Sequence, residues 1–206
     1  MKTNIALLIE QAANVTDSLN SGIRLTKEEQ IFICEHFICE EIKKNDFTIQ
    51  IGDHENYVYF IEKGILRSWT ICSPSEPKEQ ITFWFTFPGE FACSYFSLKN
   101  DKPSYINIQA LTNCTIWKLS KQDLSYLYDT SLNFNKIAKV FFEDILIRQV
   151  NREIQLLGLS CDNLYKELID RQKELIKQIP LKYIASYIGI TPQTLSQVRR
   201  KIILNK

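Results

Sequence analysis

The chain has 206 residues with 25 Lys and Arg against 24 Asp and Glu, which gives a formal net charge of +1. Hydrophobic residues make up 45% and charged residues 24%, proportions typical of a folded soluble protein, and six Gly and six Pro argue against long disordered linkers. No apolar run approaches the roughly 18 residues of a membrane span, and the N-terminal apolar stretch is too short for a signal peptide. We therefore expect a cytoplasmic protein without a membrane partner.

Cysteine and histidine are too sparse for a metal centre. The six cysteines form no Cys-x-x-Cys pair, and the two histidines are His36 and His54. Structural zinc sites and iron–sulfur clusters use closely spaced ligands, and a cupin-type enzyme would need a histidine-rich triad. No nucleophile–base arrangement stands out either. We expect reduced, buried thiols, no metal, no certain cofactor and no enzymatic activity.

Positive charge is concentrated at the C-terminal end. Residues 175–206 contain six basic residues and no acidic residue, which leaves 19 basic and 24 acidic residues in 1–174. This asymmetry is typical of a nucleic-acid-binding tail domain. A solvated basic helix without a partner has the same composition, so charge alone does not separate the two.

The first 45 residues are predicted to be helical. Thr26 and Glu29 form a capping box, with Thr26 as the N-cap and Glu29 at the third helical position. Apolar residues follow at a spacing that would let one side of the helix pack against a neighbouring layer. They are Ile31, Phe32, Cys34, Phe37 and Ile38.

The pattern changes between residues 46 and 119, where short runs of β-branched and aromatic residues alternate with turn signals. Lys63-Gly64 and Pro88-Gly89 indicate tight turns, and residues 73–78 form a polar loop. Several short strands at this spacing predict an antiparallel barrel or roll. The predicted strands cover 47–51, 57–62, 65–72, 80–87, 106–110 and 114–119.

Helices follow the strands. A short helix is predicted at 120–129, and a long one at 133–157 has no Gly or Pro. Because apolar residues surround most of its circumference, one side can pack on the roll and the other on a second copy of the chain. A helix wholly buried within one chain is the alternative. The predicted homodimer interface comprises Ile137, Val140, Phe141, Asp144, Ile147, Asn151 and Ile154.

The chain after the long helix predicts a helix-turn-helix. Residues 158–163 break the long helix, a helix at 164–179 ends at Pro180, and residues 181–188 form another with one apolar face. Gly189 suits a turn with positive φ, Thr191 is a good N-cap, and Pro192 suits the first helical position. The alternative is an ordinary αα-hairpin. The side chains predicted to face inward are Leu181, Ile184, Ala185, Ile188, Leu195, Val198 and Ile202.

The outward face of the last helix carries side chains that can contact DNA. Gln193, Ser196, Gln197 and Arg200 form a stripe that would enter the major groove, where Gln can bond to adenine and Arg to guanine. Other polar residues are better placed for phosphates, which set affinity more than sequence choice. These are Lys182, Thr191, Thr194, Arg199 and Lys201.

The order of roll, long helix and helix-turn-helix resembles the Crp/Fnr family of bacterial transcription regulators over nearly the whole chain. Residues 57–67 (YVYFIEKGILR) look like the family's strand–Gly–strand segment, and 88–91 (PGEF) like the start of its phosphate-binding cassette. Residues 184–196 (IASYIGITPQTLS) look like the helix-turn-helix of short Bacteroidetes-type members.

The resemblance implies an α+β fold with three parts. Residues 1–129 would form an antiparallel β-roll of the cyclic-nucleotide-binding type with flanking helices, 130–157 a dimerisation helix, and 158–206 an all-α helix-turn-helix domain. It also implies a homodimer that binds a palindromic operator in double-stranded DNA, with RNA polymerase as a further partner. A signal in the roll would shift the long helices and change the spacing of the recognition helices.

The cassette departs from the cyclic-AMP-binding pattern. Cys93-Ser94 and Ser104-Tyr105 stand where those members carry Gly-Glu and Arg-Ser, so the charged partners of the sugar and phosphate are missing. A buried phosphate without Arg is hard to compensate, which argues against cyclic AMP. The roll would bind another small-molecule effector or serve as a dimer scaffold. Its expected effector pocket comprises Phe91, Cys93, Ser94, Ser104 and Tyr105.

A different class of function stays open. The roll and long helix would also suit a ligand-binding signalling module that acts through a protein partner. The basic, acid-free helix-turn-helix argues against this alternative, because a protein-docking surface does not need that charge. Salt dependence discriminates the two, since DNA binding weakens steeply as salt rises.

Overall fold

The computed structural model describes residues 4–17, 22–71, 80–158 and 161–204. It confirms the predicted α+β class, with an antiparallel roll followed by a long helix and C-terminal helices. The predicted polar loop at 73–78 lies outside the described residues. The helices are α1 (Ile5–Thr16), α2 (Lys27–His36), α3 (Tyr95–Asn100), α4 (Lys121–Thr130), α5 (Leu132–Gly158), α6 (Cys161–Ile176), α7 (Leu181–Ile188) and α8 (Pro192–Leu204).

Two four-stranded antiparallel sheets form the roll. Their strand orders are β1-β8-β3-β6 and β2-β7-β4-β5, so β5 lies at the edge of the second sheet. Buried aliphatic side chains such as Ile61, Leu66 and Ile108 fill the space between the sheets. The strands are β1 (Ile38–Ile42), β2 (Phe47–Ile49), β3 (Tyr57–Lys63), β4 (Leu66–Ile71), β5 (Gln80–Thr86), β6 (Phe91–Ala92), β7 (Asn107–Ala110) and β8 (Cys114–Ser120).

The capping box of α2 is confirmed, but the end of that helix was predicted wrongly. The Thr26 hydroxyl accepts a hydrogen bond from the Glu29 amide at 3.2 Å, and the Glu29 carboxylate accepts one from the Thr26 amide at 2.7 Å. The helix then stops at His36, and Ile38 begins β1, which pairs with β8. Ladder hydrogen bonds to this distant strand override the local helical pattern. Ile31 and Cys34 of this helix are exposed rather than packed inward, and the exposure of Cys34 and Cys39 contradicts the expectation of buried thiols.

Gly64 makes the predicted tight turn between β3 and β4. Its φ is +94°, and a Cβ added there would lie 2.4 Å from the Cys114 Sγ and 2.7 Å from the Asn113 carbonyl oxygen. Positive φ and close approach both require glycine here. The short elements β6 and α3 were not predicted, although both belong to the cassette between the turn at Pro88-Gly89 and β7.

Helix α5 packs one side against the outer face of the roll. Phe134, Ile137 and Phe141 are buried in a cluster that also contains Phe60 of β3 and residues of α1, α2 and α4. The opposite side of α5 is exposed. The apolar residues predicted around most of this helix are therefore divided between a buried inner side and an exposed outer side.

The C-terminal helices form a second core that includes part of the roll. Leu195 of α8 and Ile184 of α7 belong to one buried cluster with Phe85 and Phe87 of the roll. Helix α6 runs from Cys161 to Ile176, so it begins and ends three residues earlier than the predicted helix at 164–179. Its Gln172 has non-helical backbone angles. Among the described residues, the structure has no helix long and apolar enough to cross a membrane.

Candidate nucleic-acid interface

The turn between α7 and α8 has the geometry predicted for a helix-turn-helix. Gly189 has φ +78°, and its amide bonds the carbonyl oxygens of Ala185 and Ser186. The Thr191 hydroxyl accepts the Thr194 amide at 3.2 Å, which confirms Thr191 as the N-cap of α8. Ala185 is fully buried, so α8 can lie close to α7. The inward residues of the pair are Ile184, Ile188, Leu195 and Val198, whereas the side chain of Ile202 lies outside the described set.

Three of the four residues predicted for the base-reading stripe are exposed. Gln193, Gln197 and Arg200 lie on the outer side of α8. Ser196 is half-buried, and its hydroxyl donates to the Pro192 carbonyl oxygen at 2.9 Å within the same helix. The stripe free to meet another molecule therefore consists of two amides and one guanidinium.

Residues predicted for phosphate contact flank this stripe. Thr191 and Thr194 are exposed at the start of α8, and their hydroxyl oxygens are 3.0 Å apart. Arg199 is half-buried on the same helix. Because the first turn of a helix offers unpaired amides and a positive dipole end, these two threonines mark an end of α8 suited to a phosphate.

The two predicted lysines differ in their surroundings. Lys182 is exposed at the start of α7, with its Nζ 4.9 Å from the centre of the Tyr183 ring. The Lys201 Nζ lies 2.7 Å from the Asp162 Oδ2 of α6. The charge of Lys201 is thus compensated within the chain, whereas no ion pair of Lys182 is found among the described residues.

The cassette of the roll is closed around a carboxylate of this chain. Glu55, only 2% exposed, accepts hydrogen bonds from the amides of Ser94, Asn56 and Tyr57. The Ser104 hydroxyl donates to the Ser94 hydroxyl oxygen at 2.8 Å. Burial raises the pKa of Glu55, and the amide hydrogen bonds oppose that shift. Sequence reasoning missed Glu55, because a single acid in a polar loop gives no signal of burial.

The five residues predicted for an effector pocket have different surroundings. Ser94 and Ser104 meet, but Phe91 packs against Phe141 with ring centres 4.9 Å apart. Cys93 packs against the same helical cluster, and burial raises the pKa of its thiol to about 12. Tyr105 is 62% exposed on the surface.

A cavity of about 390 Å³ lies in the roll between β1, β2, β3 and β8, and Glu55 is one of its lining residues. Three carboxylates and one lysine line it, and Lys118 is paired with Glu40 at 2.7 Å. The Thr48 Oγ1 is buried in its wall without a hydrogen-bond partner among the described residues. This lining favours a neutral or cationic occupant over a phosphate.

The outer side of α5 is an apolar stripe. Leu146 is 62% exposed, Ile147 60% and Ile154 52%. Of the residues predicted for the dimer interface, Asn151 also lies on this exposed side, Val140 is partly buried against the core, and Asp144 pairs with Arg148. Ile137 and Phe141 instead belong to the core of the chain. The stripe consists of Phe142, Leu146, Ile147, Val150, Ile154 and Leu157.

No group of three His, Cys, Asp or Glu side chains able to hold a metal ion occurs in the described ranges.

Sequence reasoning missed two arginines that contact aromatic rings. Arg67 of β4 lies under Tyr183 of α7, and Arg152 of α5 lies against Tyr187. Both connect the C-terminal helices to the rest of the chain, and neither pairing could be deduced from spacing along the sequence.

Comparisons with known proteins identify the roll and the overall fold. Residues 39–131 match the family model of the cyclic nucleotide-binding domain. A sequence comparison with curated proteins finds no match.

Solved structures of bacterial regulators share the fold. FixK2 from Bradyrhizobium japonicum has 15% identity and a TM-score of 0.66, covering 82% of this chain and 85% of its own. The c-di-GMP responsive global regulator CLP from Xanthomonas campestris has 16% identity and a TM-score of 0.63, covering 84% and 89%. A Crp/Fnr family regulator from Eubacterium rectale has 16% identity and a TM-score of 0.60, covering 88% and 85%. Identities this low show the fold alone.

Proposed function

We propose that this chain, which has the fold of the Crp/Fnr transcription regulators, is a homodimer that binds a palindromic operator in double-stranded DNA through α8. The observation that carries the proposal is the exposed stripe of Gln193, Gln197 and Arg200 on the second helix of a helix-turn-helix. The stripe lies in a segment, 175–206, that contains six basic residues and no acidic one. RNA polymerase is the further partner that a transcription regulator of this kind would contact.

The side chains on α8 have the chemistry for base reading. Each glutamine amide can bond N6 and N7 of adenine, and the Arg200 guanidinium can bond O6 and N7 of guanine. The phosphate contacts assigned to Lys182, Thr191, Thr194 and Arg199 would fix the position of the helix in the groove. Lys201 would join them by exchanging Asp162 for a phosphate.

The homodimer would form along the apolar stripe of α5. In a two-fold dimer the same face of each copy meets its equivalent, so one exposed stripe supplies both sides of the interface. Ile147, Asn151 and Ile154 remain in the proposed interface. Ile137 and Phe141 are excluded from it because they are buried in the core of each chain. The two-fold axis would relate the two copies of α8 and match the symmetry of a palindrome.

We further propose that the roll does not respond to cyclic AMP. The amide of Ser94 donates to Glu55, and the position resembling the family's arginine is Ser104. A cyclic phosphate would have to displace a buried carboxylate without gaining a cation. The acidic cavity between β1 and β3 would instead admit a neutral or cationic small molecule as effector.

Salt dependence of DNA binding tests the proposal against the alternative of a module that acts through a protein partner. Affinity for a fluorescent random duplex is measured by anisotropy between about 50 and 200 mM salt. A protein that contacts 6–10 phosphates loses roughly a thousandfold or more in affinity over that range. Lys182→Ala should reduce the slope of log affinity against log salt concentration by about one, because one phosphate contact is lost. Lys44 is an exposed lysine of the roll, and Lys44→Ala should leave this slope unchanged. A flat dependence would rule out DNA as the partner.

A further inference from the structure

Helix α7 is attached directly to the edge of the roll. The Ser186 hydroxyl accepts a hydrogen bond from the Thr82 amide at 2.9 Å and donates to the Gln80 carbonyl oxygen at 3.0 Å. Because β5 is the edge strand of its sheet, these backbone groups point away from the roll. One side chain of the helix-turn-helix therefore satisfies two backbone groups that a neighbouring strand would otherwise satisfy.

A buried cation lies beside this attachment. Arg67 of β4 is 0% exposed, and its guanidinium carbon is 3.7 Å from the centre of the Tyr183 ring of α7. Its Nε donates to the Thr82 hydroxyl at 2.8 Å and its Nη1 to the Gln80 side chain at 2.9 Å, while Nη2 has no partner among the described residues. Burial lowers the pKa of Arg67 to about 10, so it stays charged at neutral pH. A desolvated cation of this kind depends on the ring above it.

Two further contacts hold the last turn of α7. The rings of Phe85 and Tyr187 have centres 5.3 Å apart, and the Arg152 Nη2 of α5 donates to the Tyr187 carbonyl oxygen at 3.0 Å. Helix α7 is thus fixed to β4, β5 and α5. The tight turn at Gly189 and the buried Leu195 then fix α8 against α7. The direction of α8 relative to the roll follows from the position of α7.

We propose that Arg67, Tyr183 and Ser186 are positioning residues for the recognition helix and thereby determine which spacing of DNA half-sites the dimer accepts. This inference rests on the proposed function. In a two-fold dimer a small rotation of each α7 on β5 moves the two copies of α8 in opposite senses. The edge of the roll therefore sets the distance between them, in addition to α5.

The test compares Tyr183→Leu, which removes the ring over Arg67 but keeps an apolar side chain, with Tyr183→Phe, which keeps the ring. Hydrogen exchange of the Thr82 amide, followed by NMR, reports on the attachment without DNA. Loss of a desolvated cation–π contact should accelerate this exchange by about 5- to 30-fold in the leucine variant. The phenylalanine variant should exchange like the wild type.

Selection from random duplex DNA then reports on spacing. The wild type and Tyr183→Phe should enrich one half-site at one spacing, and Tyr183→Leu should enrich the same half-site at several spacings. Unchanged Thr82 exchange in the leucine variant would overturn the attachment, and an unchanged single spacing would overturn the positioning role alone. Enrichment of no sequence by the wild type would overturn the proposed function and the spacing role with it.

Discussion

Truncation of Leu146 tests the proposed dimer interface at the middle of the α5 stripe. The side chain is 62% exposed in the single chain. Fully burying a leucine contributes about 1.5–3 kcal/mol, so covering that exposed fraction contributes about 1–2 kcal/mol per protomer. A two-fold interface contains the residue twice, which gives about 2–4 kcal/mol per dimer. Leu146→Ala should therefore raise the dimer Kd by about 30- to 700-fold.

Sedimentation velocity over a dilution series measures this change. The matched control is Ile31→Ala, because Ile31 is 57% exposed on α2, outside the proposed interface. The control dimer should dissociate at the same protein concentration as the wild-type dimer, and circular dichroism should show that both variants are folded. A wild type that is monomeric at every concentration would refute the reasoning, as would equal dissociation of Leu146→Ala and the wild type.

Three further predictions concern other parts of the molecule. Arg200→Ala should weaken binding to a selected operator by about 5- to 150-fold, as loss of one bidentate base contact implies, while affinity for an unrelated duplex measured in the same anisotropy assay changes far less. Mass spectrometry after brief alkylation at pH 8 should find Cys34, which is exposed, modified before Cys93, whose buried thiol has a pKa of about 12; the reverse order would contradict the cassette packing. Gly64→Ala should lower the free energy of unfolding in urea by about 1–3 kcal/mol more than Gly52→Ala, because both have positive φ but only Gly64 meets neighbouring atoms within 4 Å; equal losses would count against this packing.

Local patterns in the sequence predicted most of the fold. The capping box at Thr26 and the N-cap at Thr191 each rest on residues three positions apart, and the turn at Gly64 was indicated by the local pair Lys63-Gly64. Runs of β-branched and aromatic residues between turn signals located the longer strands to within a few residues. The burial of Leu195 and the exposure of Gln197 followed from helical periodicity.

Features that depend on distant contacts were not predictable in the same way. Strand β1 carries Glu40 and Glu41 and looks helical locally, yet 74 residues separate Glu41 from its partner Thr115. Burial of Glu55 depends on the Ser94 amide, and burial of Arg67 on the Tyr183 ring. Such pairs form only after the sheets have assembled and the C-terminal helices have docked on them.

The split of α5 into two sides shows the limit of periodicity. The sequence identified apolar residues around the helix but not which of them face the same chain. Ile137 and Phe141 became core residues because α1 and the outer face of β3 cover them. Ile147 and Ile154, farther along the helix, remain uncovered in the single chain.

Sequence selection from a random pool of duplex DNA tests the central claim most directly. The wild type is compared with a variant that combines Gln193→Ala, Gln197→Ala and Arg200→Ala. We expect the wild type to enrich a palindrome with half-sites about one helical turn apart, and the variant to keep only weak, salt-sensitive binding without an enriched sequence. Recovery of the same palindrome by the variant, or of no palindrome by the wild type, would contradict the account.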